Sequence, residues 1–455
     1  MVVIGSGSGN SLVTPELEGR GVAIVESGTF GGTCLNVGCI PTKMYVYPAD
    51  IAAGIRGAAK LGVDAQVTGV RWREMRDRIF GRIDPISAGG RDYRLTGEHT
   101  TAYLGRARFV GEKTLEVSYD DGRTERITGD DIVVATGSTP TIPPVIADSG
   151  VAYHTSDTVM RIEELPRRMV IVGGGVVACE FAHVFSAFGV QVSIVTRGGL
   201  LHSLDAEIGA AFTERARQQW DLRLGVEVTA LAQKDEAAQV SLSDGEVIET
   251  DLLLVATGRR PQSDLGLDVA GVETDESGYV VTDAFGRTSA PGVWALGDVV
   301  TRLQFKHVAN QQARAVAHNL AHPEAMVEFD YDAVPAAIYT WPQLAEVGLS
   351  EAAARERYGD AVVTKTQRFG DTAYGWAMED TTSILKLLAH RESGMLLGAH
   401  AMGPQSSILI QPLVQAMATG QPVRGLARAQ YWPHPALSEV VENAILGLEL
   451  GESAV

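Results

Sequence analysis

The sequence is poor in cysteine. Three occur among 455 residues, too few for a disulfide scaffold. Such sparing use points to a reducing compartment, where a cysteine pair serves chemistry rather than cross-linking. Long apolar runs are also missing. The stretch around residues 170–177 is interrupted by glycines, so no membrane-spanning helix is expected. Positive charge is scarce. Lysine and arginine total 38 against 56 aspartates and glutamates, a formal net charge of −18. That balance argues against nucleic acid or an anionic membrane as the main partner. Only seven of the basic residues are lysines. The opening Met1-Val2-Val3-Ile4-Gly5 has neither a basic segment nor a long apolar one, so no targeting segment is expected and a cytoplasmic location follows.

Glycine, by contrast, is plentiful at 50 residues. At ordinary domain size the chain has room for about three domains. Two patterns occur twice. Val2-Val3-Ile4-Gly5-Ser6-Gly7-Ser8-Gly9 is an apolar strand running into a glycine turn, and Met169-Val170-Ile171-Val172-Gly173-Gly174-Gly175 repeats it. Ile132-Val133-Val134-Ala135-Thr136-Gly137 is echoed by Leu253-Leu254-Val255-Ala256-Thr257-Gly258. Two dinucleotide-binding domains, the second inserted in the first, produce this order. Asp120-Asp121-Gly122 and Asp244-Gly245 read as hairpin turns. Pro140, Pro143 and Pro144 read as a linker. Residues 308–321 read as a helix. From about Pro335 strand-like 384–388 and 396–402 alternate with helix-like 407–419 and 436–449, which reads as a third domain.

The strand–glycine turns have a chemical logic. Glycines let the backbone approach a pyrophosphate at a helix N-terminus, where free N–H groups and the dipole attract anions. Gly5, Gly7 and Gly9 belong to the first turn, and Glu26 closes the next strand at the distance expected for a ribose contact. Asn10 replaces the usual third glycine and Pro15 falls inside the following helix, so that helix is expected to be short. Gly173 and Gly175 with Ala178 match the pattern more closely. The second strand here ends Thr196-Arg197. An acid in that place would favour NAD, whereas Arg197 suits a 2′-phosphate and points to NADPH. His202 is a candidate further phosphate contact and reads slightly better as a surface loop residue.

Residues 31–43, GGTCLNVGCIPTK, are the most informative. Cys34 and Cys39 stand five apart, just after Glu26. Zinc would require four ligands, and no second cysteine pair exists, so no metal is expected. A purely structural disulfide closing so short a loop gains little. A redox-active pair fits best, with Lys43 and a helix N-terminus lowering a nearby thiol pKa.

This stretch resembles the redox motif of the pyridine nucleotide–disulfide oxidoreductases, the group of glutathione reductase and dihydrolipoamide dehydrogenase. The likeness extends to Ala295-Leu296-Gly297-Asp298 and to Tyr431-Trp432-Pro433-His434-Pro435-Ala436-Leu437-Ser438-Glu439. It implies an α/β fold with two Rossmann-like domains and a C-terminal α+β dimerisation domain. The FAD domain is expected over 1–145 and 262–330, the NADPH domain over 146–261 and the interface domain over 331–455. By resemblance, Cys34 is the interchange thiol, Cys39 the thiol nearest the flavin, and Lys43–Glu180 an ion pair beside the flavin. His434 is the general acid/base, oriented by Glu439 and supplied by the other subunit of a homodimer. Gly32, Thr33, Thr136, Gly137, Gly258, Gly297 and Asp298 are the remaining cofactor candidates, and Asp298 is expected at the ribityl chain. The implied reaction carries electrons from NADPH through FAD and Cys34–Cys39 to a small disulfide.

Within the family, Thr196-Arg197 argues against an NAD-linked dihydrolipoamide dehydrogenase. Pro15 stands where glutathione reductases have a carboxylate-binding arginine. The chain ends Gly451-Glu452-Ser453-Ala454-Val455, without the extra cysteine pair of large thioredoxin and mercuric reductases. Gly7 to Ser11, Asp371 to Asp380 and His434 to Gly447 are similar to the mycothione-reducing members, whose substrate is neutral and sugar-rich. Val176 stands where glutathione reductase has a tyrosine gate. Cys179 and Trp376 read as core residues. A flavin-binding interaction protein with vestigial chemistry is the alternative from another class, and the intact Cys34, Cys39, His434 and Glu439 set speaks against it.

Overall fold

The computed structural model describes residues 1–451. Residues 452–455, within the tail noted above for lacking a cysteine pair, lie outside the described residues.

Apolar runs that end in glycine turns become buried parallel strands, as expected where helices cover both faces of a sheet. In the first sheet the order is Val293–Ala295, Ile132–Val134, Val2–Ile4, Val22–Val25 and Thr100–Tyr103, all parallel. The second has Asp221–Leu224, Gln191–Thr196, Arg168–Val172 and Leu252–Val255, again parallel. The two echoes therefore hold equivalent places: Val2 sits opposite Ile132, and Met169 opposite Leu252. Each sheet carries a three-stranded antiparallel meander, and both predicted hairpin turns lie in these meanders. Ser138–Pro140 pairs with Arg259–Pro261, so Pro140 ends one strand of a two-stranded ribbon, while Pro144 starts the short helix Pro144–Ala147.

Pro15 starts a helix of only four residues, Pro15–Glu18, preceded by the 3-10 turn Ser8–Leu12. The expected shortening follows from the missing N–H and fixed φ of proline. Two long helices, Cys39–Gly57 and Trp72–Thr96, went unread in the sequence. Trp72 stacks on Tyr45 with centroids 4.7 Å apart. Its Nε1 donates to Ile162 O at 2.8 Å, and Tyr45 OH donates to Met160 O at 2.7 Å. Helix Val176–Ala187 packs on the same cluster through Phe181 and Phe185.

The C-terminal part is a five-stranded antiparallel sheet, in the order Pro335–Ile338, Gln343–Gly348, Leu396–Gly403, Ile384–His390 and Val362–Arg368. It is fastened to the second unit by a buried charge cluster. Lys386 Nζ lies 2.8 Å from Asp205, 2.6 Å from Glu351 and 3.4 Å from Glu207. Burial pushes Asp205 up, and the Lys386 ammonium overrides it, leaving the carboxyl below its usual range. The same ammonium holds Glu351 down. Their stabilisation is complete above the ordinary carboxylate range and is lost as pH falls through the depressed values. Lys386→Met strands the buried Asp205 charge. We expect a loss of about 3–5 kcal/mol, read as a lower denaturant midpoint at neutral pH. An unchanged midpoint would show the cluster to be energetically neutral.

No helix among the described residues is long and apolar enough to cross a membrane.

Candidate redox site

Both glycine turns open on one cavity of about 1520 Å³, larger than a usual drug-sized pocket of roughly 300–1,000 Å³. The turns share a construction. Gly5 has φ +107°, and a Cβ there would lie 2.4 Å from Ala135 O. Gly173 has φ +128°, and its Cβ would lie 2.1 Å from Ala256 O. Each Ala-Thr-Gly echo thus presses its alanine carbonyl onto the first glycine of its turn, where only hydrogen fits. Gly137, Gly175 and Gly258 line the cavity with open space where a side chain would stand. Gly175 stands at the start of helix Val176–Ala187, where such open backbone suits a dinucleotide phosphate, whereas Gly137 and Gly258 lead into the ribbon strands Ser138–Pro140 and Arg259–Pro261.

Glu26 ends its strand in the cavity wall. One carboxylate oxygen accepts from Ser6 N at 2.8 Å and Ser6 Oγ at 2.6 Å, and the other accepts from Gly28 N at 2.8 Å. The residue braces the first turn, a task that sequence reading did not give it. Gly32 and Thr33 lie in the same wall. Thr136 Oγ1 donates to Gln262 O at 2.7 Å. Gly297 N donates to the buried Gln312 at 2.7 Å. Asp298 accepts from Ser138 Oγ at 2.8 Å, and burial raises its carboxyl above the usual range.

Cys34 lies on the short helix Gly32–Asn36, and Cys39 is the first residue of Cys39–Gly57. Both are thiols that line the cavity. The Cys34 thiol donates to Cys39, which raises Cys34 and lowers Cys39 to about 7. Lys43, one turn along the helix, adds to the lowering. The two sulfurs are therefore unequal: one holds the proton and the other accepts it. Lys43 Nζ contacts both Glu180 oxygens at 2.6 and 2.5 Å and sits 4.5 Å above the Tyr339 ring. Tyr339 N donates to Glu180 at 3.0 Å. No sequence signal marked Tyr339.

Arg197 and His202 line the same cavity beyond Gly173 and Gly175. Arg197 is 83% exposed, and its Nε lies 3.8 Å from Glu227, which sequence reading missed. Val176 also lies in this wall. Lys306 enters the wall from the start of helix Lys306–Ala321, its Nζ 2.9 Å from Ser8 Oγ. Its rarity as one of seven lysines was the only available signal.

His434 and Glu439 stand apart from this cavity. His434 Nδ1 is 2.7 Å from Glu439 Oε1, and the other oxygen accepts from Ala436 N at 3.2 Å. The imidazole side chain is 70% exposed. Cys179 is fully buried, as expected of a core residue. Trp376 is not core: it is 65% exposed, because the short helix Ala373–Ala377 lies at the surface.

Residues 1–313 match the pyridine nucleotide-disulphide oxidoreductase family, and residues 334–445 match its dimerisation domain. The chain belongs to this family. Among curated relatives, mycothione reductase of Mycobacterium tuberculosis is 51% identical over 98% of this chain and 99% of its own. Glutathione reductase of Burkholderia cepacia is 32% identical over 96% of each. Among solved structures, the HOCl-induced flavoprotein disulfide reductase of Escherichia coli superposes with a TM-score of 0.86, at 27% identity, covering 98% of this chain and 99% of that one. The α/β architecture with two Rossmann-like parallel sheets and a dimerisation domain is that of the family. Like its relatives, this pyridine nucleotide-disulphide oxidoreductase is an enzyme of disulfide reduction that employs FAD and NAD(P)H.

Proposed function

We propose that the enzyme reduces a small, neutral, sugar-bearing disulfide of the mycothione type, with NADPH as electron donor. The unequal thiol pair in a cavity shared with both glycine turns carries the reading. The first turn, Glu26, Gly32, Thr33, Gly297 and Asp298 hold FAD, in a domain of residues 1–145 and 262–330. Gly173, Gly175 and Arg197 hold NADPH, in residues 146–261. Residues 331–455 form the homodimer interface.

Bound FAD would relay electrons from the nicotinamide to the cysteine pair. The side chains then divide the remaining work. Lys43, held by Glu180, fixes positive charge where electron density accumulates. Cys34, once its proton has passed to the imidazole named below, attacks the substrate disulfide as a thiolate, forms a mixed disulfide and displaces one thiolate. Cys39, the more acidic sulfur, attacks Cys34, closes the intramolecular disulfide and frees the second thiol. Each departing thiolate needs a proton, and an imidazole is suited to give it. His434 serves that purpose, with Glu439 fixing its tautomer. Because neither residue lines the cavity of its own chain, the dyad is assigned to the partner's site.

The substrate assignment rests on the likeness to mycothione reductase and on Pro15, where an arginine would greet a glutathione carboxylate. Loss of NADPH absorbance, followed in parallel with mycothione, oxidised glutathione and lipoamide, tests it. Turnover with mycothione alone is expected. Turnover with lipoamide, above all with NADH, would replace this reading by a dihydrolipoamide dehydrogenase.

Glu227 favours that second reading in one respect, since an acid near the ribose suits NADH. Arg197→Glu decides the weight of each. Removing the cation that meets a 2′-phosphate should lower kcat/KM for NADPH about 10- to 100-fold relative to NADH. An unchanged ratio would sink the phosphate argument.

A further inference from the structure

Six cations line the central cavity: Lys43, Arg106, Arg197, Arg259, Arg302 and Lys306. Five have a carboxylate within ion-pair distance, namely Glu180, Asp264, Glu227, Asp157 and Asp275 in the same order. Lys306 makes no ion pair among the described residues. The residue is half-buried, and its ammonium donates to Ser8 Oγ at 2.9 Å. A cation withdrawn from water is costly without an anion opposite. Asp298 and Cys34 feel its charge, but no carboxylate of the described residues comes within ion-pair distance, which leaves the place for a ligand's anion.

The position says which. Ser8 belongs to the turn whose residues Gly5, Ser6, Gly7 and Ser8 line the cavity, and on the FAD assignment proposed above, on which this inference rests, that is the place of the diphosphate. Ser8 Oγ also lies 3.5 Å from Asn310 Oδ1, one turn further along the helix that starts at Lys306. The serine thus ties the lysine, nearly 300 residues distant in sequence, to the turn. We infer that Lys306 is a diphosphate-binding residue for FAD: it adds a full positive charge to a turn that carries none of its own. The degraded turn gives this charge a purpose. Asn10 and Pro15 leave a 3-10 turn and a four-residue helix in place of a long first helix, so the dipole there is weak. Lys306 compensates with a formal charge.

The test measures flavin release from holoenzyme by the fluorescence of free FAD, on dilution at a series of sodium chloride concentrations. Lys306→Met should raise the FAD dissociation constant about tenfold and flatten its salt dependence, since the screened interaction is gone. Lys306→Arg should recover most of the affinity. Ser8→Ala, which keeps the charge and loosens its anchor, should weaken binding less than Lys306→Met. Wild-type affinity and salt dependence in Lys306→Met would overturn the inference. So would a Lys306→Met protein that fails to fold even with FAD in excess, or a Lys306→Arg protein no better than Lys306→Met, because either makes the residue structural. A further contrary result is an unchanged FAD affinity with a shifted pH dependence of Cys34 alkylation. That outcome would make the ammonium a neighbour of the thiol only, in line with its lowering effect on Cys34.

Discussion

Cys39→Ser should abolish disulfide reduction and remove the long-wavelength absorption band of the enzyme reduced with NADPH. The serine hydroxyl is isosteric enough to keep the helix start, where Cys39 follows Gly38. It cannot close a disulfide with Cys34, so the catalytic cycle has no way to release substrate bound to that sulfur. It also cannot ionise near neutrality, whereas the Cys39 thiol is lowered to about 7 by the Cys34 donor and by Lys43. In the unaltered enzyme the band should grow as pH rises through that value, because only the thiolate gives it. Flavin content and the oxidised spectrum should stay as they were. Measurable turnover with any disulfide in the serine variant would remove Cys39 from the reaction.

His434→Gln should lower turnover about 100- to 10,000-fold while leaving flavin content and the Cys39 band intact. Glutamine keeps a polar group near Glu439 and loses the proton exchange. The acid side of the dyad also matters: the hydrogen bond from His434, with Ala436 N, holds the Glu439 carboxyl below its usual range. Subunit mixing separates the two possible origins of the imidazole. Cys34→Ser chains should be inactive alone, and His434→Gln chains should keep only the residual turnover given above. If the dyad works across the interface, a mixed dimer contains one site with both Cys34 and His434 unaltered, and activity returns. Were the dyad to act within its own chain, every site in the mixture would lack one group, and none would return.

The parts legible in the sequence were those set by local physics. The paired turns could be read because an apolar run followed by glycine has few other uses, and Gly5 and Gly173 tolerate no side chain. The short first helix was legible from Pro15 alone. Helix Trp72–Thr96 was not, since Pro85 and two adjacent glycines lie inside its span and its buried positions are few. Contacts between distant residues left no trace. Lys386 and Asp205 stand 181 positions apart, and Lys306 and Ser8 stand 298 apart. Lys43–Glu180 and His434–Glu439 were reached through family likeness, and the structure brings each pair within hydrogen-bond distance. Trp376 misled for the opposite reason: a large apolar side chain reads as core, although its helix is too short to face inward along its length.

The carbonyl of Ala256 against Gly173 has a consequence for anyone who wishes to exchange the nucleotide preference of this enzyme. A glycine turn transplanted from a relative arrives without the strand end it was shaped against. The natural module of transplantation is discontinuous: the turn at residues 173–175 together with residues 256–258, some eighty positions away. Chimeras that cut between them inherit a misfit at the floor of the site. Chimeras that carry both keep the strand end and the turn matched to each other.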